Sequence, residues 1–434
     1  MIDLYRTLIH EWERRKLPEI IGRNVSLLNY SDLKPRKIVV IAGFRRTGKT
    51  YLLFHLIKDL VKKDDKERIV YINFEDERIP LKTEFLTNLI PAIKQICGKV
   101  KFLLLDEVHN IPNWSKWLRR VYDTEDIRFF ITGSSSKMSS REIPTELRGR
   151  FLEVRVSALS FKEFLRFKDI IPNPKTEEYS PDEKAILKRM LEEYLEYGGL
   201  PEVVLASGDK KIEILRGYYN TVIRQDIIER FRIKSEENLK ALLRLLLNST
   251  QYTISKLYNS MKSLNYNVGK STIQTFLDYI ETTYFMHSIQ ILSPKVKDQL
   301  QWPRKVYFID TGFISHLSTK FSRNLGRLYE NIVFLELKRM QENDPNLDIF
   351  YWKNLQHEEV DFVIKQGLKI KQLIQVCYDI TDYDTKKREL RSLIKGAKEL
   401  KCKKLMVITE DKEGEETIEK VKVKYIPLWK WLLA

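Results

Sequence analysis

The sequence predicts an α/β protein in which a parallel sheet core is followed by a helical segment, a helix-turn-helix and a second α/β segment. Three observations support this fold class. Between residues 36 and 156, short apolar runs alternate with helix-like segments. Between residues 160 and 247 apolar residues recur at helical spacing, and from about residue 305 the alternation of strands and helices returns.

Five apolar runs are the strand candidates of the first segment. Each run is nearly continuous in apolar residues, which is typical of strands buried on both faces of a parallel sheet. Their sequences are KIVVIAG, RIVYINFED, KVKFLLLDEV, IRFFITGSSS and RFLEVRV. We therefore expect one parallel sheet with crossover helices.

The remainder of the chain changes character twice. Helical segments such as SFKEFLRF and ILKRMLEEYLEY are interrupted by EYGGLPEV, whose glycines and proline indicate a turn. Two further helical patterns flank a turn near Asn267 and Gly269, which is typical of a winged helix-turn-helix. The last α/β segment contains the helix candidates LYENIVFLELKRM and KKRELRSLIKGAKELK and the strand candidates IFYWKN, EVDFVIK, KQLIQVCYDI and KLMVITE.

Composition restricts the class of protein. Hydrophobic residues make up 43% of the 434 residues, and Lys plus Arg outnumber Asp plus Glu by 76 to 60, a net charge of +16. This excess attracts polyanions such as nucleic acid, although Lys- and Glu-rich surfaces are also common in heat-stable proteins. Three widely spaced cysteines argue against a zinc site or a disulfide framework. Since no signal-peptide pattern or long uncharged apolar stretch is present, we expect a cytoplasmic protein with no membrane partner.

The stretch GFRRTGKT has the spacing of a phosphate-binding P-loop and lies between a strand candidate and a helix candidate. Glycines let backbone N–H groups surround phosphate oxygens, and the helix N-terminus adds partial positive charge. A chance match in a basic loop is the alternative. We expect Lys49 to reach the β- and γ-phosphates of ATP and the Thr50 hydroxyl to bind Mg²⁺. The predicted nucleotide-binding residues are Gly43, Phe44, Arg45, Arg46, Thr47, Gly48, Lys49, Thr50 and Tyr51.

The third strand candidate, in the stretch FLLLDEVHN, ends in Asp106 and Glu107, which is the pattern of a Walker B segment. We expect Asp106 to hold Mg²⁺ and Glu107 to act as the general base that polarises the attacking water. The alternative is a pair of acids that only solvate the end of a strand. The predicted catalytic set contains Lys49 and Glu107.

Two further elements fit hydrolysis rather than binding alone. The fourth strand candidate ends in Thr132, Ser134 and Ser135, and we select Ser134 as the γ-phosphate or water sensor, with a simple turn as the alternative. Arg148 and Arg150 in ELRGRF are candidates for an arginine finger that reaches the nucleotide of a neighbouring subunit, which would require a homo-oligomer. Solvated arginines are the alternative.

Together these motifs resemble the archaeal and bacterial AAA-type P-loop ATPases. The matching motifs follow the family's order over nearly the whole chain: GFRRTGKTYLL, YINFED, LLLDEVHNIPNW, ITGSSS, LRGRF, LSFKEFL, YGGLPEV, KVYFIDTGF, YENIVFLEL and EVDFVI. The resemblance implies that the first domain binds and hydrolyses ATP. It implies four domains: a P-loop ATPase core with an N-terminal helical segment at 1–157, a helical lid at 158–247, a winged helix-turn-helix at 248–304 and a restriction-endonuclease-like domain at 305–434.

The same resemblance provides a test of the C-terminal segment. Nucleases of this fold bind a divalent metal with an Asp on one strand, a Glu-x-Lys on the next and often an acid on the first helix. Asp361 and Glu330 match the Asp and the helix acid, but the Glu-x-Lys position reads Gln375-Val376-Cys377. A neutral amide binds Mg²⁺ weakly and a cysteine supplies no ammonium, so we expect the nuclease-like domain to be inactive.

Two helices are candidates for nucleic-acid binding. The resemblance to a winged helix places Lys270, Thr272 and Gln274 on the outer face of its second helix, with Lys262 nearby. The segment Lys386–Lys404 carries nine basic residues against two acids. Protein contacts and a solvated helix face are the respective alternatives.

The sequence as a whole predicts an ATP- and Mg²⁺-dependent ATPase coupled to DNA binding or remodelling. A nucleotide-regulated switch that binds DNA or protein with little turnover is the first alternative. An ATP-gated, metal-dependent nuclease is the second.

Overall fold

The computed structural model describes residues 2–133, 147–172, 179–319 and 324–434. The chain divides into two compact units, which we call unit 1 (Met1–Ser157) and unit 2 (Ala158–Ala434). The finer division into four domains stays a prediction. Within the described residues, no helix has both the length and the apolar character needed to cross a membrane.

Unit 1 alternates strands and helices, because its apolar runs are separated by amphipathic segments. Short 3-10 helices cover Leu27–Tyr30, Lys66–Arg68 and Val108–Asn110. The main elements are α1 (Ile2–Arg14), β1 (Ile38–Ala42), α2 (Lys49–Val61), β2 (Ile69–Asn73), α3 (Thr83–Cys97), β3 (Phe102–Asp106), α4 (Trp114–Thr124), β4 (Arg128–Thr132) and β5 (Phe151–Arg155).

The five strands of unit 1 form one parallel sheet in the order β2-β3-β4-β1-β5. Every residue of β1 and of β3 is buried, so both faces of the sheet are covered. This confirms the parallel sheet expected from the five apolar runs. The order places β4 between β1 and β3, and the carboxyl ends of these three strands lie at the same edge of the sheet.

Helix α1 belongs to the core of unit 1. The Tyr5 hydroxyl donates a 2.7 Å hydrogen bond to the carbonyl oxygen of Phe85, and the Trp12 indole donates a 3.0 Å bond to the carbonyl oxygen of Ile69. Both aromatic side chains are buried, which satisfies their polar atoms and removes their rings from water. The N-terminal helix is therefore fixed to α3 and β2.

The first part of unit 2 is helical. Ser160 and Ser180 each begin a helix with a capping box, in which the serine side chain and a glutamate three residues later satisfy each other's backbone N–H groups. The elements are α5 (Phe161–Phe167), α6 (Pro181–Tyr197), α7 (Pro201–Leu205), α8 (Lys210–Thr221), a π-helix (Val222–Glu229) and α9 (Glu236–Leu247).

A small antiparallel sheet follows. The elements are β6 (Gln251–Tyr252), α10 (Ile254–Ser263), α11 (Lys270–Thr282), β7 (Met286–Ile289), α12 (Val296–Gln301) and β8 (Arg304–Phe308). The strands are ordered β6-β8-β7 in the sheet, and α10 and α11 connect β6 to β7 along the chain. Strand β8 crosses the predicted boundary between residues 304 and 305.

The C-terminal part of unit 2 contains a six-stranded mixed sheet. The elements are α13 (Thr311–Leu317), α14 (Leu325–Asn343), β9 (Leu347–Lys353), β10 (Glu359–Gln366), β11 (Lys369–Val376), α15 (Tyr383–Glu399), β12 (Leu405–Thr409), β13 (Gly414–Ile418), β14 (Val421–Pro427) and α16 (Leu428–Leu433). The strands are ordered β13-β14-β12-β11-β10-β9 in the sheet. The fold class predicted from sequence is confirmed, since a parallel-sheet core is followed by helices and a C-terminal mixed sheet.

Asp310 joins the turn after α6 to the start of α13. Its carboxylate accepts hydrogen bonds from the backbone N–H groups of Gly199 (2.7 Å) and Gly312 (2.8 Å), and burial raises its pKa to about 7. Gly198 has φ +79°, and a Cβ at this position would lie 1.6 Å from Asp310 Oδ1. The contact therefore requires glycine at position 198 for both space and backbone conformation.

Candidate nucleotide site

The predicted P-loop connects β1 to α2, as its spacing requires. Gly48, with φ +94°, precedes α2 in the left-handed conformation and leaves the helix N-terminus without a side-chain cap. A Cβ on Gly43 would lie 2.3 Å from the carbonyl oxygen of Val156, so the loop approaches the residue after β5 too closely for a larger side chain. The loop thus presents backbone N–H groups and the positive end of a helix dipole, which is the arrangement that binds phosphate.

Lys49 lies in the first turn of α2 with its side chain turned towards the loop. It is only 6% exposed, and its Nζ donates 3.1 Å hydrogen bonds to the carbonyl oxygens of Gly43 and Phe44. The ammonium is thereby held inside the curve of the loop. A bound phosphate would meet a positive charge at this position.

The remaining residues of the predicted nucleotide set have different environments. Phe44 is buried, Arg45 and Thr50 are half-buried, and Arg46 is exposed with φ +64°. Tyr51 is 53% exposed, and its ring meets Phe54 edge-on at a centroid distance of 6.0 Å. Phe44 is therefore a core residue of the loop. Since side chains of the other four reach the surface at least in part, their contact with nucleotide stays a prediction.

Two hydrogen-bonding groups stabilise the loop from within and from outside. The buried Thr47 hydroxyl donates to the carbonyl oxygen of Phe44 at 2.8 Å. The Arg23 guanidinium donates 2.9 Å bonds to the carbonyl oxygens of Thr47 and Ser157. Sequence reasoning missed Arg23, because it lies 24 residues before Thr47 in a segment without a motif.

Asp106 ends β3 and is 2% exposed. Its Oδ2 accepts a 2.8 Å hydrogen bond from the Tyr71 hydroxyl, and its Oδ1 accepts a hydrogen bond from the Thr132 hydroxyl. Burial and the adjacent carboxylate raise the pKa of Tyr71, so the tyrosine stays a donor. Hydroxyl and carboxylate oxygens are the ligands that Mg²⁺ prefers, so Thr50 and Asp106 fit the predicted metal chemistry.

Glu107 follows β3 in the left-handed conformation, with φ +55°. This conformation is uncommon for a residue with a side chain and clusters at functional sites. Burial raises the pKa of Glu107 to about 7; Asp106 and Glu75 act in the same direction, while Lys49 and Arg45 oppose them. A carboxylate with a pKa near neutrality is suited to accept a proton from water.

His109 and Thr132 contact Glu107. His109 Nδ1 lies 3.2 Å from Glu107 Oε2, and the Thr132 hydroxyl accepts a 3.0 Å hydrogen bond from the Glu107 backbone N–H. Thr132 therefore joins both Walker B acids from the end of β4. Ser134, the predicted sensor, lies outside the described residues. The sequence did contain the signal for Thr132, a polar residue at the end of a buried strand.

The two predicted arginine-finger residues lie before β5, at the amino end of the sheet, whereas the P-loop follows β1 at the carboxyl end. Unit 1 therefore does not bring Arg148 or Arg150 to its own P-loop. The Arg150 guanidinium donates hydrogen bonds of 3.0 and 3.2 Å to the two carboxylate oxygens of Asp123. Arg148 is exposed.

The candidates in unit 2 fall into three groups. Glu330 and Asp361, the predicted nuclease acids, both contact the ammonium of Lys305. Lys262 and Lys270 are exposed and Thr272 and Gln274 half-exposed. Five cations of α15 form ion pairs with glutamates: Lys386, Arg388, Arg391, Lys395 and Lys398. The basic charge of α15 is thus largely compensated.

Over the described ranges, no group of three or more His, Cys, Asp or Glu side chains is arranged to hold a metal ion.

Comparison with known proteins agrees with the geometry of unit 1. Residues 35–165 match the AAA domain family AAA_14, residues 188–324 match a domain of unknown function (DUF8612), and residues 325–431 match another (DUF4143). The uncharacterized protein MJ1544 of Methanocaldococcus jannaschii is 37% identical over 439 residues, covering 98% of this chain and 94% of that protein.

More distant similarities include an uncharacterized protein of Haemophilus influenzae, which is 28% identical over 352 residues, covering 80% of this chain and 83% of that protein. Among solved structures, the Walker-type ATPase PABY2304 of Pyrococcus abyssi is 13% identical with a TM-score of 0.46. That similarity covers 70% of this chain and 99% of the other.

Proposed function

The chain belongs to the family of MJ1544, and on this premise we propose that it is an AAA-type ATPase that binds ATP with Mg²⁺ and hydrolyses it. The P-loop would bind the phosphates through its backbone N–H groups and Lys49. The Thr50 hydroxyl and the Asp106 carboxylate would hold Mg²⁺, which would neutralise the charge that develops on the phosphates.

The placement of Glu107 is the observation that carries the proposal of hydrolysis. Burial raises the pKa of its carboxyl group to about 7 against the opposing charge of Lys49, and its backbone N–H donates a hydrogen bond to the Thr132 hydroxyl. In the proposed reaction Glu107 accepts a proton from water as the water oxygen bonds to the γ-phosphorus. The bond to the β–γ bridging oxygen breaks, which gives ADP and phosphate.

Glu107→Gln separates an ATPase from a nucleotide-regulated switch. Glutamine keeps the size of the side chain but cannot act as the base, so we expect ATP binding to persist while turnover falls by about 100-fold or more. Calorimetry measures binding, and phosphate release measures turnover. The matched control is Glu77→Gln, which changes an exposed acid in the same unit. A wild-type rate that is small and unchanged by Glu107→Gln would instead favour the switch.

We propose Arg148 as the arginine finger of a homo-oligomer, since Arg150 is engaged by Asp123. Mixing two inactive variants tests this role. Lys49→Ala lacks the phosphate-binding cation and Arg148→Ala lacks the finger, so in a mixed oligomer an intact nucleotide site meets an intact arginine and turnover should return. Arg150→Ala is the matched control and should retain turnover alone. Lack of recovery in an oligomer verified by sedimentation would contradict the role of Arg148.

A cationic cavity in unit 2 supports a proposal of nucleic-acid binding. The cavity has a volume of about 550 Å³ and is bordered by the first turns of α10 and α11, including Ser255 and Ser271, and by Lys270, Trp302 and Arg304. None of its described lining residues is acidic. Two helix N-termini and two cations favour an anion such as a nucleic-acid phosphate.

The order of the helices and strands around this cavity also supports DNA binding. Helix α9, strand β6, helices α10 and α11 and strands β7 and β8 follow one another in the order of a winged helix, with α11 as the second helix of the helix-turn-helix. We therefore propose that residues 236–308 bind DNA and that ATP hydrolysis is coupled to this binding.

Charge removal at the cavity tests DNA binding. Lys270→Ala and Arg304→Ala should each weaken binding to duplex DNA and reduce the slope of log affinity against log salt by about one. Lys395→Ala, which removes the same charge from an ion pair on α15, is the control. Equal losses in all three variants would contradict a specific role for the cavity. Turnover measured with single-stranded, duplex and branched DNA tests the coupling.

A further inference from the structure

Lys305 is the centre of a buried ionic cluster in unit 2. It lies on β8, its side chain is 3% exposed, and its Nζ contacts one carboxylate oxygen of each of three acids. The distances are 2.9 Å to Glu330 of α14, 2.8 Å to Glu359 of β10 and 2.7 Å to Asp361 of β10. A single ammonium therefore joins one carboxylate of a helix and two of a strand, which lie between 25 and 56 residues after Lys305 in the chain.

The other hydrogen bonds of the cluster fix these carboxylates around the ammonium. Tyr307 donates to Glu330 Oε1 at 2.7 Å, and Lys353 Nζ lies 2.8 Å from Glu359 Oε2. Asp361 Oδ2 accepts a 2.9 Å bond from the backbone N–H of Val376. Each acid thus has a second partner besides Lys305.

Two of these acids, Glu330 and Asp361, are the residues that match the metal ligands of restriction-endonuclease-like nucleases. The third position of that motif does not supply an anion. The side-chain oxygen Oε1 of Gln375 accepts a 3.4 Å hydrogen bond from the backbone N–H of Asp361, and its side-chain Nε2 donates a 2.6 Å hydrogen bond to the carboxylate of Glu389. The residues present therefore do not fit a catalytic metal, since an ammonium already lies between the two matching acids.

We infer that Lys305 is the resident cation of this cluster and that it excludes the divalent metal on which a nuclease would depend. A metal ion that bound Glu330 and Asp361 would have to displace the ammonium or lie beside it. Displacement leaves a buried ammonium without its carboxylates, and coexistence brings two cations together in an environment of low dielectric constant. Both alternatives are unfavourable, so the nuclease-like sheet of unit 2 is closed to metal whether or not the chain hydrolyses ATP.

Two substitutions of Lys305 separate its charge from its volume. Lys305→Ala removes both the ammonium and its bulk, which leaves three carboxylates and space for a hydrated cation. Lys305→Met removes the charge but keeps most of the volume. We expect Lys305→Ala to bind an additional equivalent of Mn²⁺ per chain, and the wild type and Lys305→Met to bind none at this cluster.

The experiment counts bound Mn²⁺ by electron paramagnetic resonance of the full chain without nucleotide. The P-loop is the same in all variants, so differences in bound Mn²⁺ report on the cluster. Mn²⁺ should also raise the unfolding temperature of Lys305→Ala, and a Lys305→Ala, Glu330→Gln double variant should lose both effects. A folded Lys305→Ala variant that binds no more Mn²⁺ than Lys305→Met would overturn the inference.

The wild type provides a second test that does not depend on the folding of a Lys305 variant. Wild type and Glu330→Gln should bind equal amounts of Mn²⁺, and neither should cut plasmid or branched DNA with Mg²⁺ or Mn²⁺. An equivalent of Mn²⁺ that the wild type binds and Glu330→Gln loses would refute the inference. Metal-dependent cutting that disappears in Asp361→Ala would refute it as well.

Discussion

Glu107→Gln is expected to change the pH dependence of stability as well as catalysis. Burial raises the pKa of Glu107 from its ordinary value of 4.5 to about 7, and the side chain is 17% exposed. Since the folded state has the higher pKa, it binds more protons than the unfolded state between these two values. The contribution of Glu107 to stability is therefore fully present below pH 4.5 and is lost as pH rises through 7.

The size of the contribution of Glu107 to the free energy of unfolding follows from the difference between the two pKa values. It corresponds to about 3 kcal/mol in total, of which about 2.5 kcal/mol falls between about pH 5 and about pH 8. The glutamine that replaces Glu107 in the variant does not titrate. Relative to the variant, the wild type should therefore lose about 2.5 kcal/mol of its free energy of unfolding over that interval.

Urea denaturation of both proteins without nucleotide, at about pH 5 and about pH 8, measures this loss. A chain of two units need not unfold in one step, so the transition to be compared must first be identified. It is the transition whose urea midpoint shifts when ATP is added in a separate experiment. Every other titratable group is shared, so the difference between the two proteins reports on position 107. A difference that stays constant over this pH interval would refute the raised pKa and the burial of charge from which it was derived.

Two further contacts, each within a single unit, can be tested by a substitution with a matched control. Gly198→Ala should cost more than about 3 kcal/mol or prevent folding, because its Cβ would collide with Asp310. Gly217→Ala in α8 meets nothing within 4 Å and should be neutral or stabilising by up to about 1 kcal/mol, which thermal unfolding can measure. Thr132→Val should lower ATP turnover by about 10-fold or more with little change in ATP affinity, since it removes the hydroxyl bound to Asp106, and Thr132→Ser should retain turnover. Equal turnover in the Val and Ser variants would contradict a role for the hydroxyl.

Local patterns predicted the parallel sheet and selected the residues of the candidate nucleotide site. Continuous apolar runs identified the strands because both faces of a parallel sheet exclude water. The P-loop spacing identified Lys49, and Asp106 and Glu107 followed because an acidic pair ends a buried strand. Each of these inferences depends on residues that are close together in the chain.

Such local patterns did not predict contacts between segments that are far apart in the chain. Assigning Asp106 as the partner of Thr132 requires knowing that β4 lies beside β3, so that a hydroxyl at the end of β4 meets Asp106. Arg23 contacts Thr47 and Ser157, which lie 24 and 134 residues after it in the chain. Lys305 on β8 contacts Asp361 on β10, although the two residues are 56 positions apart in the chain and belong to different sheets. None of these positions shows a periodicity or spacing that indicates its partner.

Lys49 and Lys305 show why the partners of a buried cation decide its function. Both ammonium groups are buried, but Lys49 donates to two peptide carbonyls, whereas Lys305 contacts three carboxylates. A hydrogen bond between an ammonium and a neutral carbonyl contributes about 1.5–3 kcal/mol, and a triphosphate, which carries negative charge, can replace such partners. Breaking a buried ion pair costs about 3–5 kcal/mol, and Lys305 would lose several. Exchanging the two carbonyl contacts of Lys49 for phosphate should therefore cost less free energy than removing Lys305 from its three carboxylates.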